Sequence, residues 1–390
     1  MFPAIPLRHL AALFGLATTA FIFNTSEFMP IGLLMDIAQS FSMTEADTGI
    51  MIAVYAWVVA LLSLPLMLLT CNMELKKLML ITIGVFGLGQ LGSGLATSFS
   101  LLMAARICVA CAHSIFWSIV AHLATRLVTK VHQPFALAVV ATGSAIAMIM
   151  GLPLGRVVGL YAGWRTTFLL IALISLFILI YLFLMLPKRQ QNTPFTLGDL
   201  PALLTKPSLA IIYIMTAFFA LAYYTTYSYI EPYLSLVAGF QPEEITLTLV
   251  ILGCCGIGGS VIFSRLYGHY RRTIIRMSLI SVSIALFLWL PAAQNFYTML
   301  LIGMILGTIS TLYNITFQAE LLNQASAGGA TVAMSIFSGI YNLGIGSGSW
   351  LGGLLTGQGN LAYIGLAGGI IATLSLCIGL FYYLPLIKAK

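Results

Sequence analysis

Long apolar runs alternate with short polar breaks along the whole chain, and twelve of the runs are long enough to cross a bilayer as helices. They fall near 10–35, 46–69, 77–97, 99–124, 133–158, 164–187, 208–230, 243–266, 273–292, 296–320, 328–354 and 360–386. The breaks are very short except at 188–207. That stretch begins Lys188-Arg189-Gln190-Gln191-Asn192-Thr193-Pro194 and closes on Lys206-Pro207, a polar, proline-punctuated linker. The pattern predicts a bundle of six spans over 1–187, a linker over 188–207, and a second bundle of six over 208–390. The first run lacks a convincing cleavage site and is expected to be a retained helix.

Composition sharpens this to a membrane protein. Residues are 60% hydrophobic and only 7% charged, against about 25% charged in soluble domains. Thirty-six glycines and 14 prolines fit close helix packing and broken helices. A net charge of +7 would point to a nucleic-acid partner in a soluble chain. Here its distribution gives a different reading. Arg8, Lys76, Lys77, Arg126, Lys130, Lys188, Arg189, Lys206, Arg265, Arg271, Arg272, Arg276, Lys388 and Lys390 fall on one side, 14 of the 17 basic residues. Arg156 and Arg165 fall on the other, and Arg106 lies within span 4. The positive-inside rule then places both termini and the linker in the cytoplasm, with Asp36, Glu45, Asp47, Glu243 and Glu244 outside.

The halves echo each other. Lys76-Lys77 after span 2 corresponds to Arg271-Arg272 after span 8, and Gly151-Leu152-Pro153-Leu154-Gly155 in span 5 maps onto the Gly344–Gly348 region of span 11. Duplicated six-span halves are a common plan among secondary transporters. Chance alignment of glycine-rich helices is the plainer alternative.

Several stretches carry a family likeness: Ala20-Phe21-Ile22-Phe23-Asn24-Thr25-Ser26-Glu27-Phe28, Tyr55-Ala56-Trp57-Val58-Val59-Ala60-Leu61, His113-Ser114-Ile115-Phe116-Trp117-Ser118, Gly151 through Arg156, Tyr227-Ser228-Tyr229-Ile230-Glu231-Pro232 and Phe337-Ser338-Gly339-Ile340-Tyr341-Asn342. In these, and along nearly its whole length, the chain resembles the major facilitator superfamily. The likeness is to its drug/proton antiporter branch, specifically bacterial sugar efflux transporters that expel arabinose and related sugars. The resemblance implies an all-α membrane protein of twelve transmembrane helices, two six-helix bundles around a central cavity. It implies a bacterial inner-membrane exporter exchanging solute for protons by alternating access, and the span 5 glycine–proline motif is a signature of the family's antiporters. Two positions depart from the pattern. Asn72 stands roughly where the loop after span 2 usually has an aspartate, which puts in doubt the conformational latch assigned there, although the basic pair Lys76-Lys77 and a nearby Glu74 are present. Ala110 replaces the glycine that usually follows the span 4 arginine by one turn.

Glu27 is the leading candidate for chemistry. It is read as the only carboxylate deep within a span, beside Asn24, Thr25 and Ser26 with Pro30 a turn later. An ionisable group at that depth costs roughly 2.5–3.5 kcal/mol on insertion scales, so it should face protein or water and pass between protonation states. The plain alternative is a protonated carboxyl making one interhelix hydrogen bond. In span 4, Arg106, Ala110, His113 and Trp117 recur at i, i+4, i+7 and i+11, one helix face. His113 and Trp117 are read as substrate contacts and Arg106 as tuning nearby protonation. Alternatively Arg106 snorkels or ties spans together, and His113 is a satisfied hydrogen bonder. Glu231, at the end of span 7, is either a second coupling carboxylate on the cavity rim or a solvated helix-end charge. Gly143, Gly151, Gly155 and Gly159 leave a smooth stripe for a close neighbour, and Pro153 and Pro30 remove backbone donors. Thr44 followed by Asp47 reads as the cap of span 2.

A second set suits a polar neutral ligand. Asn24, Tyr55, Tyr223, Tyr227, Asn314, Gln318, Tyr341 and Asn342 supply amides that pair with hydroxyls in both directions and rings that stack on sugar faces. A broader multidrug/proton antiporter is the rival reading, and an intramembrane enzyme a distant one, since no paired catalytic groups are evident. No phosphate-binding loop is present, so ATP is not the direct energy source. Cys108 and Cys111 have no second pair to complete a metal site, and all six cysteines read as packing residues. The expectation is a monomeric carrier, not an enzyme, whose partners are a sugar-like solute, protons and lipid, with no cofactor, metal or nucleic acid.

Overall fold

Proline and glycine decide where the helices break and how closely they meet. The computed structural model describes residues 6–70, 73–129, 132–187, 205–324 and 330–387, and most of the 188–207 linker, with Cys71, Asn72 and Lys130, lies outside them. Among the described residues there are helices and turns and no strand. The main helices are α1 (Leu7–Phe28), α2 (Glu45–Thr70), α3 (Leu75–Gly94), α4 (Phe99–Arg126), α5 (Gln133–Ala162) and α6 (Trp164–Met185). They continue as α7 (Pro207–Tyr227), α8 (Pro242–Phe287), α9 (Phe296–Gln324), α10 (Ala330–Gly357) and α11 (Ile364–Ile378). Among the described residues, nine helical segments are long and apolar enough to cross a membrane. With α5, α10 and the second arm of α8, which turns at the non-helical Tyr270, they match the twelve runs in the sequence.

By packing, the helices sort into two units. One takes in Met1–Asp36 and Leu61–Phe195, the other Ile37–Ala60 and Thr196–Lys390. The boundary between Phe195 and Thr196 falls inside the expected linker. Residues 37–60 join the second unit because the first half of α2 packs there, with Trp57 Nε1 donating to Ser347 Oγ at 3.3 Å.

In the first unit, α1 breaks at Pro30 into a 3₁₀ turn over Met29–Leu33 before a short helix, Leu34–Ser40. Proline has no N–H, so the carbonyl four residues earlier, Ser26 O, loses its helical donor. α5 lies along α1, and the expected glycine stripe is the reason. A Cβ at Gly151 would sit 3.0 Å from Thr25 Cα, and one at Gly155 would sit 2.7 Å from Met29 Cβ. Gly143 and Gly159 face Ala17 and Leu33 in the same way. Small residues thus let two backbones touch where larger ones would hold them apart. Gly163, at φ +83°, then turns the chain sharply into α6.

The second unit repeats this device. The α10 glycines meet α7, with a Cβ at Gly344 2.5 Å from Ala220 Cβ and one at Gly348 2.9 Å from Thr225 N. A second repeated feature concerns helix ends. Lys76 Nζ donates to Phe183 O at 2.7 Å and Leu186 O at 2.6 Å, and Arg272 Nη2 donates to Leu384 O at 3.0 Å. Each cation satisfies carbonyls at a helix C-terminus, where the dipole favours positive charge. Thr44 caps α2 as its spacing predicts, accepting from Asp47 N at 3.1 Å and donating to Asp47 Oδ2 at 2.7 Å.

Gly155→Leu should push α1 off α5 and destabilise the protein by about 1–3 kcal/mol. Gly84→Leu is the control, because nothing lies within 4 Å of its Cβ position. Thermal unfolding in detergent would read both, and equal melting of the two variants would contradict the stripe's role.

Candidate functional site

The predicted residues fall into two clusters, one in each unit. In the first, α1 supplies Asn24, Ser26 and Glu27, and α4 supplies Arg106, His113 and Trp117 from one face. Glu27 Oε2 lies 3.5 Å from His113 Nε2, with side-chain exposures of 10% and 2%. Trp117 Nε1 donates to the same His113 Nε2 at 2.7 Å. An indole nitrogen can only donate, so this imidazole nitrogen presents its lone pair. Phe23 walls the pair, stacked between Phe86 and Phe116 with centroids at 3.8 and 4.3 Å, and 5.8 Å from the His113 ring.

Arg106 is 1% exposed and does not snorkel. Its Nη1 donates to Ser26 O at 3.1 Å and Ser26 Oγ at 3.2 Å. The carbonyl that Pro30 leaves without a helical donor is therefore satisfied by an arginine from α4. Gln90 of α3 closes the knot by donating to Ser26 Oγ. Neither Ser26 nor Gln90 stood out as a site residue in the sequence. The available signal was an amide in mid-span, and a serine next to the carboxylate. Arg106 also lies within electrostatic range of both Glu27 and His113. Ala110 is fully buried, and close approach on this face comes instead from Gly89 of α3, whose Cβ position is 2.6 Å from Val109 Cγ2.

Arg156, expected at the outer membrane boundary, is buried inside α5 and donates to Gly32 O at 3.0 Å. Two arginines thus serve carbonyls in or beside the broken stretch of α1. Pro153 is also buried within α5. Lys77 is exposed, and Asn72 lies outside the described residues.

The second unit gathers aromatics. Tyr223 and Tyr227 stack at 5.0 Å, Tyr223 and Phe219 at 5.8 Å, and Phe219 and Tyr313 at 3.7 Å. Tyr341 adjoins Tyr224 at 6.1 Å and Phe219 at 6.4 Å. Asn342 is buried, donates to Ser338 O at 3.0 Å, and keeps an Oδ1 with no partner among the described residues. Asn314 Oδ1 accepts from Gln318, and Tyr55 is buried. Glu231 is 1% exposed, which removes the solvated helix-end alternative. Glu27 is not the only buried carboxylate, since Glu320 of α9 is buried as well as Glu231. Glu320 is fully buried and doubly bonded by Arg271 at 2.6 Å. Glu320 closes the predicted run at 296–320, so its burial was not visible without the neighbouring helices.

This all-helical, membrane-spanning arrangement is that of a transporter and not an enzyme. The family model described as Major Facilitator Superfamily matches residues 14–332, and the chain belongs to that superfamily. Two solved structures share the fold, both of a bacterial homologue of the human lysosomal transporter Spinster. The inward-facing, unoccupied form has a TM-score of 0.76 at 14% identity, covering 98% of this chain and 97% of that one. The inward-facing, occupied form has a TM-score of 0.72 at 15% identity, with 95% of each chain covered.

Removing Arg106 should cost about 1–3 kcal/mol, because a buried carbonyl loses a charged donor. In Pro30→Ala the backbone regains the donor for Ser26 O, so Arg106→Leu should cost less there than in the native chain. A double-mutant cycle on thermal stability would measure this coupling, expected above about 0.5 kcal/mol. Additive losses would refute the link between Pro30 and Arg106.

Proposed function

We propose that this chain is a proton-coupled exporter of sugars or similar small neutral solutes, in which Glu27 carries the proton. The observation that carries the reading is the single lone pair of His113 Nε2, faced by Trp117 N–H and by the Glu27 carboxyl. Trp117 already fills that lone pair, so an ionised Glu27 would face an electron-rich nitrogen with no proton to share, whereas a protonated one avoids that repulsion. The geometry therefore fits a neutral pair with the proton on Glu27, the loaded state of a carrier. Exposure to the more acidic side loads the proton as solute leaves. Exposure to the cytoplasm hydrates the carboxylate, favours its charged form and releases the proton, readying the site for the next solute. Proton and solute alternate, so the coupling is antiport.

The solute class follows from the second cluster. Stacked phenols and the unpaired Asn342 Oδ1 suit a neutral ligand with hydroxyl donors and flat apolar faces. Tyr55 and Asn314 extend that polar set, and Asn24 stays with the first cluster beside Glu27. The same aromatic wall would also take planar drugs, which keeps a multidrug antiporter as the second reading. We place the chain in a bacterial inner membrane as a monomer of two six-span halves, with both termini and the linker cytoplasmic.

Transport into inverted vesicles under an imposed pH gradient, across a panel of sugars and drugs, tests the function. Sugar accumulation that collapses with the gradient is expected, and drug uptake alone would favour the second reading. Glu27→Gln mimics the protonated carboxyl, so it should keep solute binding, lose the pH dependence of that binding and abolish uphill export. Concentrative export by Glu27→Gln with normal pH dependence would move the proton to another group, with Glu231 or His113 next in line. Topology has its own test. Single cysteines at 190–200 should be labelled only by reagents that reach the cytoplasmic face, and labelling from outside intact cells would invert the orientation.

A further inference from the structure

Away from both clusters, the turn of α8 encloses a cavity of about 500 Å³. Tyr267, His269, Arg271 and Arg272 line it from the turn, and Asn323 and Gln324 from the end of α9. Its two arginines are in different electrostatic positions. Arg271 is committed to Glu320, which accepts from its Nε and Nη2 at 2.6 Å and holds the guanidinium above its ordinary range. Tyr267 and Tyr383 also donate to that carboxylate, so its acceptor capacity is well used.

Arg272 has no such partner. One nitrogen donates to Leu384 O at 3.0 Å, but its Nε is buried with no hydrogen-bond partner among the described residues. A buried charged N–H left unpaired is costly, and the group that relieves it is an acceptor, preferably an anion. A second cation stands at the α9 side, where Lys206 Nζ donates to the carbonyl of the lining residue Gln324. Neither Arg272 nor Lys206 is paired with a carboxylate among the described residues. His269 adds a further exposed nitrogen base, while Asn323 and Thr273 add neutral donors.

The location says which anion. The cavity sits just past the end of the apolar segment Pro242–Phe263. Exposed tyrosine at Tyr270, and exposed apolar side chains at Ile257, Val261 and Leu266 on the same helix, are what a membrane boundary presents to lipid. We propose that this cavity binds the phosphate of an anionic phospholipid headgroup, held by Arg272 and Lys206. A guanidinium fork and an ammonium are the groups that bind phosphate oxygens, and acyl chains would run along the adjoining apolar surface. The bound headgroup would place an anion beside the Arg272 guanidinium and brace the turn of α8 against the chain at Leu384.

The test uses the purified full-length protein. Lipid retention is read by native mass spectrometry, and thermal unfolding is read with phosphatidylglycerol, phosphatidylcholine or inorganic phosphate added. Phosphatidylglycerol should be retained and should raise the melting temperature, with neither phosphatidylcholine nor inorganic phosphate matching it. Lys206→Gln and Arg272→Gln should each weaken phosphatidylglycerol retention about tenfold. Arg272 also caps a helix end, so Arg272→Lys keeps a cation there as a second variant; loss of the fork should still weaken retention. Equal retention of phosphatidylcholine, stabilisation by inorganic phosphate to the same extent, or unchanged retention in Lys206→Gln and Arg272→Lys would each overturn the proposal.

Discussion

The bond from Arg106 to the carbonyl of Ser26 is the interaction on which the first unit depends. It exists because Pro30 withholds the N–H that a continuous helix would offer that carbonyl. In a bilayer, such a vacancy cannot be filled by bulk water, so the protein must supply a donor. Arg106 does so from α4 at 3.1 Å, and in doing so places its charge beside Glu27 and His113. A broken helix, a buried arginine and a buried carboxyl are thereby parts of one arrangement. The glycine face of α5 completes it, since α1 can hold this broken course only if it lies against a neighbour with no side chains in the way.

Electrostatics in the site follow from that anchoring. Glu27 and His113 share a buried, aromatic-walled space in which each added charge is expensive. Trp117 fixes the imidazole by occupying its Nε2 lone pair, so the carboxyl meets an acceptor and not a cation. A proton on Glu27 then leaves the pair neutral. Water reaching the carboxylate changes that balance, which gives a physical route from solvent access to proton release. Arg106 stays engaged with Ser26 through this account, a fixed positive charge beside a changing one.

Much of this was legible in the chain itself. The run pattern gave the helices, and the i, i+4, i+7, i+11 face of span 4 placed Arg106, His113 and Trp117 together. The glycine spacing in span 5 foretold a close neighbour, which the structure identifies as α1. What the sequence withheld was partnership across distance. Gln90 and Ser26 complete the Arg106 knot from other helices. Arg156, at a position read as a boundary charge, is drawn inside by the Gly32 carbonyl. Glu320 lay at the edge of its predicted span, and only its fold neighbours Arg271, Tyr267 and Tyr383 show it to be the fixed anion of a buried network. Helical periodicity reports which residues share a face and is silent about what that face meets.

The two units share a device, glycines of α5 on α1 and of α10 on α7, and differ in their chemistry. Only the first unit carries a carboxyl facing an imidazole among the described residues. The most direct test of that pair is infrared spectroscopy of the purified protein during a pH titration, with Glu27→Gln as the reference. The account predicts a protonated-carboxyl band at neutral pH that is absent from Glu27→Gln and weakens in Trp117-intact protein only as the pH rises. A carboxylate band for Glu27 at neutral pH, together with an imidazolium signature from His113, would contradict it.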